Sequence, residues 1–172
     1  VPLGIVPAGS GNGLTRELAI DRDPARAIAE AAAATPRPLD LGEIDGRLFV
    51  NIGGLGIDAR VAAEFDAPAN RRRGLATYAS LALRAMVSYT PERYTIVSDG
   101  ERRTVRAVLV TMANSAQFGN DARIAPTAQV DDGRLDLVVV EERARWRTLC
   151  QLPRLFNGRA RRIPGYSVRR IE

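Results

Sequence analysis

The 172-residue chain has no lysine and no histidine; all 25 of its basic residues are arginine. That excludes His-dependent triads, histidine metal ligands, a Schiff-base lysine and a Walker-type P-loop lysine within this chain. The single cysteine, Cys150, excludes an internal disulfide and a cysteine-cluster zinc site, and it suits a reducing compartment. Aromatic residues make up 5% and are not interleaved with basic stretches, so base-stacking platforms are not expected. No apolar run approaches the roughly 18 residues that a membrane span needs. The first residues, Val1-Pro2-Leu3-Gly4-Ile5-Val6, carry no Met and no basic n-region. They read like the middle of a strand, as if the chain were cut from a longer protein. A cytoplasmic location, at most peripheral to a membrane, is the expectation.

What remains is chemistry based on carboxylates, hydroxyls, backbone amides, arginine and hard cations. Apolar residues make up 45% of the chain, enough for a real core, and the net charge is 25 − 20 = +5. The pI near 10.3 reads as the bias of an all-arginine, alanine-rich composition. Nucleic acid is therefore not expected as a partner, whereas phosphates and lipid headgroups remain plausible anionic partners.

The pattern changes near Pro36–Pro38. Before it, residues 2–7 predict a buried strand, residues 8–13 a glycine-rich turn and residues 14–20 a helix. A second helix is expected over 25–34, capped by Asp23 with Pro24 in its first turn. After it come short strands at 39–43 and 47–52 around the Asp45-Gly46 hairpin signal, then helices at 57–65 and 75–89. Strands follow at 94–98, at 104–113 (with Val105, Ala107, Leu109 and Thr111 on one face), at 135–140 and at 166–171. A helix is expected over 141–156 with Trp146, Leu149, Leu152 and Phe156 inward. The fold class is thus α+β: a β-rich, antiparallel, sandwich-like body with packed helices, plus a strand–helix remnant of an α/β domain. Residues 1–37 are expected to end an α/β domain that sits apart, and residues 38–172 to form the β-rich domain.

Four segments carry candidate chemistry. In Pro7-Ala8-Gly9-Ser10-Gly11-Asn12-Gly13, glycines let an anion approach backbone amides at a helix start, with Ser10 and Asn12 as added donors. A plain tight turn capped by Asn12 explains the same residues. Asp131-Asp132-Gly133-Arg134-Leu135-Asp136 groups three carboxylates around a turn, as a hard cation requires; a simple Asp-Gly turn does so equally. Asp58, just after the bend Gly53-Gly54-Leu55-Gly56, reads as a cleft-lining acid, as a helix N-terminal acid complementing the dipole, or as a partner of Arg60. The polar run 113–121 reads as a site rim or as an ordinary loop. Arg71-Arg72-Arg73 reads as a solvated helix start, with an anionic-lipid contact as the minority reading.

Taken in order, these segments resemble the diacylglycerol kinase-like lipid kinases, the family that includes soluble bacterial diacylglycerol kinases and sphingosine kinases. Residues 4–12 are similar to its G-x-x-P-x-G-[ST]-G-N segment, and residues 51–61 to its glycine-rich segment ending in G-x-D-A-x-V. Ala113-Asn114, Ile124-Ala125-Pro126 and Asp132-Gly133-Arg134-Leu135-Asp136 resemble its A-N … I-A-P … D-G-x-L-D series. The resemblance implies a lipid kinase with ATP as co-substrate and a lipid at a membrane surface as the other substrate; a homodimer is a further partner expectation. Gly9, Ser10, Gly11 and Asn12 would hold phosphate, and Asp58 would line the substrate cleft. A structural Mg²⁺ would take the Asp132 side chain and the backbone carbonyls of Gln129 and Arg134. The family's G-G-D-G-T loop and late D-G-E segment are not found here, so the catalytic residues are expected outside the chain and the chain alone is expected to be inactive. Asp99-Gly100-Glu101 spells D-G-E but falls between strands and reads as a hairpin turn. Many bacterial members carry Asp where this chain has Gly13. The alternatives are a non-catalytic phosphate- or lipid-binding module and a basic nucleic-acid-binding domain.

Overall fold

A computed structural model describes residues 1–9, 11–66, 75–143, 147, 150–151, 154 and 157–171. Its helices are α1 (Gly13–Glu17), α2 (Pro24–Ala33), α3 (Ile57–Asp66) and α4 (Leu75–Ser88). Its strands are β1 (Gly42–Ile44), β2 (Arg47–Phe49), β3 (Ile52–Gly56), β4 (Glu92–Ser98), β5 (Glu101–Ala113), β6 (Leu135–Glu141) and β7 (Tyr166–Ile171). A short 3₁₀ turn at Ala160–Arg162 precedes β7.

β1 and β2 form a two-stranded hairpin. Asp45 and Gly46 both take positive φ, 51° and 72°, as a two-residue turn matched to strand twist requires. The other five strands form one sheet in which β5, β6 and β7 pair in turn and every pairing is antiparallel. The long strand β5 changes partner along its free edge. Residues 101–107 pair with β4, and residues 109–113 pair with β3.

Between those halves lies a β-bulge, where Ala107 opposes Glu141 and Leu109 opposes Val140, leaving Val108 as the extra residue. A bulge shifts the side-chain alternation by one. Leu109 and Ala113 therefore join the core under α3 and α4, while Ala107 and Val105 pack on the opposite face with Val110 and Val139. This corrects the expectation that Val105, Ala107, Leu109 and Thr111 share a face, because strict period-two reading cannot see an inserted residue. Gly56 sits beside the bulge at φ 106°, where a Cβ would come within 2.6 Å of the Val108 carbonyl. Only glycine fits there, and it lets the chain leave β3 directly into α3.

The main core gathers Ile57 and Val61 of α3, Ala85 of α4 and Tyr89 just beyond it, Leu109 and Ala113 of β5, and Val138 and Val140 of β6. Each fully buried aliphatic side chain of this kind stabilises the fold by roughly 1.5–3 kcal/mol.

The N-terminal segment departs from expectation. Residues 1–8 form no strand, and Val1, Leu3 and Val6 are exposed. Among the described residues no strand runs alongside to complete a ladder, and an unpaired extended run cannot satisfy its backbone groups as a strand does. α1 is also shorter than residues 14–20, ending at Glu17; Ala19 beyond it takes φ 55°, which a helix cannot continue through. α2 forms as expected, with the Asp23 carboxylate accepting the Ala25 N–H at 2.8 Å. Its glycine loop touches the body, with the Gly11 carbonyl bonded to Asn120 and Asn12 bridged to Gly119. Of the helix expected over 141–156, Glu141 belongs to β6, and Arg147, Cys150 and Gln151 are helical. Trp146, Leu149, Leu152, Phe156 and Arg71–Arg73 lie outside the described residues.

Candidate functional site

The glycine loop is held against the β-rich body by its backbone. The Gly11 carbonyl accepts the Asn120 N–H at 3.1 Å and the Arg16 Nε–H at 3.1 Å, and Asn12 bridges to Gly119. Asn12 occupies the N-cap position of α1 in the left-handed region, φ 49°, without a side-chain cap. Its Oδ1 accepts the Gly9 N–H at 2.9 Å instead, tightening the loop itself. Ser10 lies outside the described residues. A Cβ at Gly13 would stand 2.6 Å from the Phe118 carbonyl oxygen and 3.0 Å from Asn51 Nδ2, so any side chain there would push the loop off the body.

Beneath the loop is a polar seam, formed by the run that reads in sequence as a site rim or an ordinary loop. Asn114 and Ser115 are fully buried, and Gln117 is 1% exposed. The Asn114 amide donates to the carbonyls of Asp40 and Val50 at 2.7 and 3.0 Å. The Ser115 hydroxyl donates to Asn51 Oδ1. Gln117 accepts the Asp121 N–H at 3.2 Å and donates to Glu17 at 3.5 Å, reaching from the body to α1. Buried polar groups generally find partners, and here most of them come from residues 17–51, far away in the chain. The signal available in the sequence was the density of amide and hydroxyl side chains directly after an apolar strand.

Asp58 opens α3, but its carboxylate folds back over the sheet. Oδ2 accepts the Thr111 hydroxyl at 2.9 Å, while Oδ1 is buried with no partner among the described residues. Burial raises its pKa above the ordinary aspartate value, against the lowering effect of the Thr111 hydrogen bond. Arg60 pairs with Glu64 at 3.1 Å, so the ion-pair alternative does not hold. Gly54 makes room for this carboxyl: a Cβ there would overlap Asp58 Oδ2 and stand 2.7 Å from Thr111 Oγ1. Thr111 lies opposite Gly54 in the β3–β5 register. Sequence reasoning missed Thr111 because pairing register alone brings it to Asp58. The Asn51 end of β3 abuts the glycine loop, and Gly54 lies three residues along, roughly 10 Å at the usual strand rise.

The Asp132 turn lies at the same end of the sheet as Asn51. Ile52 opposes Ala113, Ala113 opposes Asp136, and Asp136 opposes Arg170. Gly133 N–H donates to Asp40 Oδ2 at 2.6 Å, and Arg134 N–H to Asp132 Oδ1 at 3.1 Å. A narrow cleft is lined by Gln129, Asp132, Arg134, Asp136 and Arg170. Asp136 is 5% exposed, and its Oδ2 is buried without a hydrogen-bond partner among the described residues. Burial raises its pKa, opposed by the Arg170 charge. Arg170 stands 3.6 Å from Asp132 and 4.0 Å from Asp136. Two carboxylates, one with an orphaned oxygen, and the turn's carbonyl oxygens make a donor set that suits a hard cation. Among the described residues no cluster of three or more acidic, histidine or cysteine side chains forms.

Asp99-Gly100 joins β4 to β5 with Ser98 opposite Glu101, so that acid belongs to a hairpin. Among the described residues no helix is long and apolar enough to cross a membrane.

The chain is similar to known proteins over nearly its whole length. Residues 52–171 match the family model described as the YegS C-terminal NAD kinase beta sandwich-like domain, and residues 1–44 match the diacylglycerol kinase catalytic domain. The chain belongs to the diacylglycerol kinase-like lipid kinase family. Among individual relatives, "Probable lipid kinase YegS-like" of Chromohalobacter salexigens is 31% identical over 151 residues, covering 87% of this chain and 48% of that protein. The diacylglycerol kinase of Mycobacterium tuberculosis strain H37Rv is 29% identical over 168 residues, covering 92% and 53%. A crystal structure of a diacylglycerol kinase from Bacillus anthracis shares the fold with a TM-score of 0.64 at 18% identity, over 97% of this chain and 52% of that one. The chain thus spans about half the length of the curated relatives it matches.

Proposed function

We propose that the chain is part of an ATP-dependent lipid kinase that transfers the γ-phosphoryl group to the hydroxyl of a diacylglycerol-like or sphingoid-like lipid at a membrane surface. The observation that carries this reading is the placement of Asp58, a buried carboxylate with one oxygen unpartnered among the described residues, at the start of α3 just past β3, the strand whose other end abuts the glycine loop. Phosphoryl transfer depends on positioning and charge neutralisation more than on covalent chemistry. Residues 1–37 are assigned to the end of a nucleotide-binding domain and residues 38–172 to the lipid-side wall of the cleft. Gly9, Ser10, Gly11 and Asn12 hold phosphate of the nucleotide. Asp58, fixed by Thr111, lines the lipid side of the cleft. Mg²⁺ is assigned to Gln129, Asp132 and Arg134, with Asp136 adding charge, and it stabilises the β-rich body.

Two measurements test the reading. The full-length protein should transfer phosphate from ATP to diacylglycerol or sphingosine in mixed micelles, and Asp58→Asn should lower kcat/KM by about 100-fold. Transfer to neither lipid, or an unchanged rate in the variant, overturns it. Added Mg²⁺ should raise the Tm of the wild-type chain by mass action and leave Asp132→Ala unmoved. An identical response of both proteins to Mg²⁺ and to EDTA means that the Asp132 segment is only a turn.

A further inference from the structure

Where α1 meets the body there is an open cleft of ≈ 290 Å³. One wall comes from residues 12–22 and the other from residues 117–123, two segments about a hundred positions apart. They are locked together by the Gly11–Asn120 and Gln117–Glu17 hydrogen bonds and by the Arg16–Asp121 ion pair at 3.1 Å. The cleft is therefore preformed. Its lining includes the buried polar side chains of Thr15 and Gln117, both already hydrogen-bonded within the protein.

Three guanidinium groups line this cleft: Arg16, Arg22 and Arg123. Arg16 is neutralised by Asp121. Arg22 and Arg123 are exposed and have no ion-pair or hydrogen-bond partner for their side chains among the described residues. Arg26, Arg60, Arg103, Arg106, Arg169 and Arg170, by contrast, pair with carboxylates. Two guanidiniums without a partner among the described residues line one preformed cleft and carry a charge of +2.

We propose that this cleft is a binding site for a phosphate monoester dianion, held by Arg22 and Arg123. Each guanidinium offers a planar fork of N–H donors that matches two phosphate oxygens. Two unpaired positive charges match the dianion of a monoester better than the single charge of a diester. The volume lies at the lower edge of the range for small-molecule sites, so it accommodates the phosphate with a short polar group attached. The site does not depend on the kinase reading, because its arginines lie outside the glycine loop and its occupation needs neither ATP nor transfer. The same chemistry comes from a free ester or from the headgroup of a phosphatidate lipid.

The test measures binding to the 172-residue chain by calorimetry and by vesicle sedimentation. The probes are glycerol 3-phosphate, the diester glycerophosphocholine, and phosphatidylcholine vesicles with and without phosphatidate. Saturable binding of glycerol 3-phosphate in preference to the diester is expected, weakened tenfold or more (about 1.4 kcal/mol per tenfold) by Arg22→Gln with Arg123→Gln. Arg123→Lys, which keeps the charge and loses the fork, should fall between. Arg47→Gln, outside the cleft, should bind like wild type. Phosphatidate-dependent vesicle binding that the double variant loses, without binding of the free ester, keeps the site and assigns the lipid source. No saturable binding of either monoester form, equal binding of the diester, or a double variant that binds like wild type overturns the proposal.

Discussion

Residues 2–7 and residues 135–140 carry the same sequence signature, a short apolar run beside turn residues, and end in opposite states. Leu135–Val140 lies in β6 between β5 and β7, with Val138 fully buried. Val1, Leu3 and Val6 are exposed and belong to no ladder. The difference lies not in propensity but in partners. β6 finds two neighbours within the chain that place their backbone groups in register, whereas the N-terminal run has none among the described residues. An apolar run states that burial would be favourable; the surrounding topology decides whether it happens. The same contrast holds within the N-terminal segment, where the glycine loop is ordered by borrowing partners from residues 117–121 of the body.

Three substitutions test how far the two regions are separable. Gly54→Val should have the largest effect, because any Cβ there overlaps the Asp58 carboxyl and crowds Thr111. A cost of about 3 kcal/mol is expected, read as a fall in denaturation midpoint. A loss well under 1 kcal/mol would mean that α3 shifts freely over the sheet, contrary to the packing described above.

Gly13→Ala should act on the junction instead. Its Cβ meets the Phe118 carbonyl, so the loop should lift and the Asn120 amide, which bonds Gly11, should exchange faster. Amides in β5 and β6 should keep their protection, with a global change of about 1 kcal/mol or less. Equal loss of protection in the sheet would show that the loop and the body unfold as one unit.

The smallest effect belongs to Asp58→Asn. Burial raises the Asp58 pKa in the folded state. Its stabilising contribution is therefore present below the unfolded aspartate value and is lost as pH rises through the folded one, because ionisation strands a charge in a desolvated site. The amide keeps an acceptor for Thr111 without that charge. Asp58→Asn should thus have a higher Tm than wild type at neutral pH and a flatter Tm profile above the ordinary aspartate range. A variant less stable than wild type at neutral pH would mean that the carboxylate is stabilised by a positive group.

Much of the body was legible in the sequence. The Asp45-Gly46 and Asp99-Gly100 turns, α2 with its Asp23 cap, and the strand at 166–171 follow from local chemistry that acts over a few residues. The four candidate segments were also visible, because glycine, asparagine and aspartate at fixed spacing are unusual enough to notice. The bulge at Val108 was not visible, since an extra residue leaves no mark on an apolar strand until its neighbours are known. The burial of Asn114, Ser115 and Gln117 was equally hidden, because polar side chains read as surface unless their distant partners are in view.

What the sequence by itself determined is therefore chemical: no histidine or lysine chemistry, one thiol, glycine-rich bends, and acids placed beside them. The tertiary structure alone decided which of these groups meet. It set Thr111 on Asp58 through strand register and drew Arg170 of β7 to Asp132 and Asp136. It also closed residues 117–123 over α1 to form a cleft with two arginines that have no partner among the described residues. Each of these contacts joins positions far apart in the chain, and such contacts exist only once a cooperative sheet has fixed the backbone.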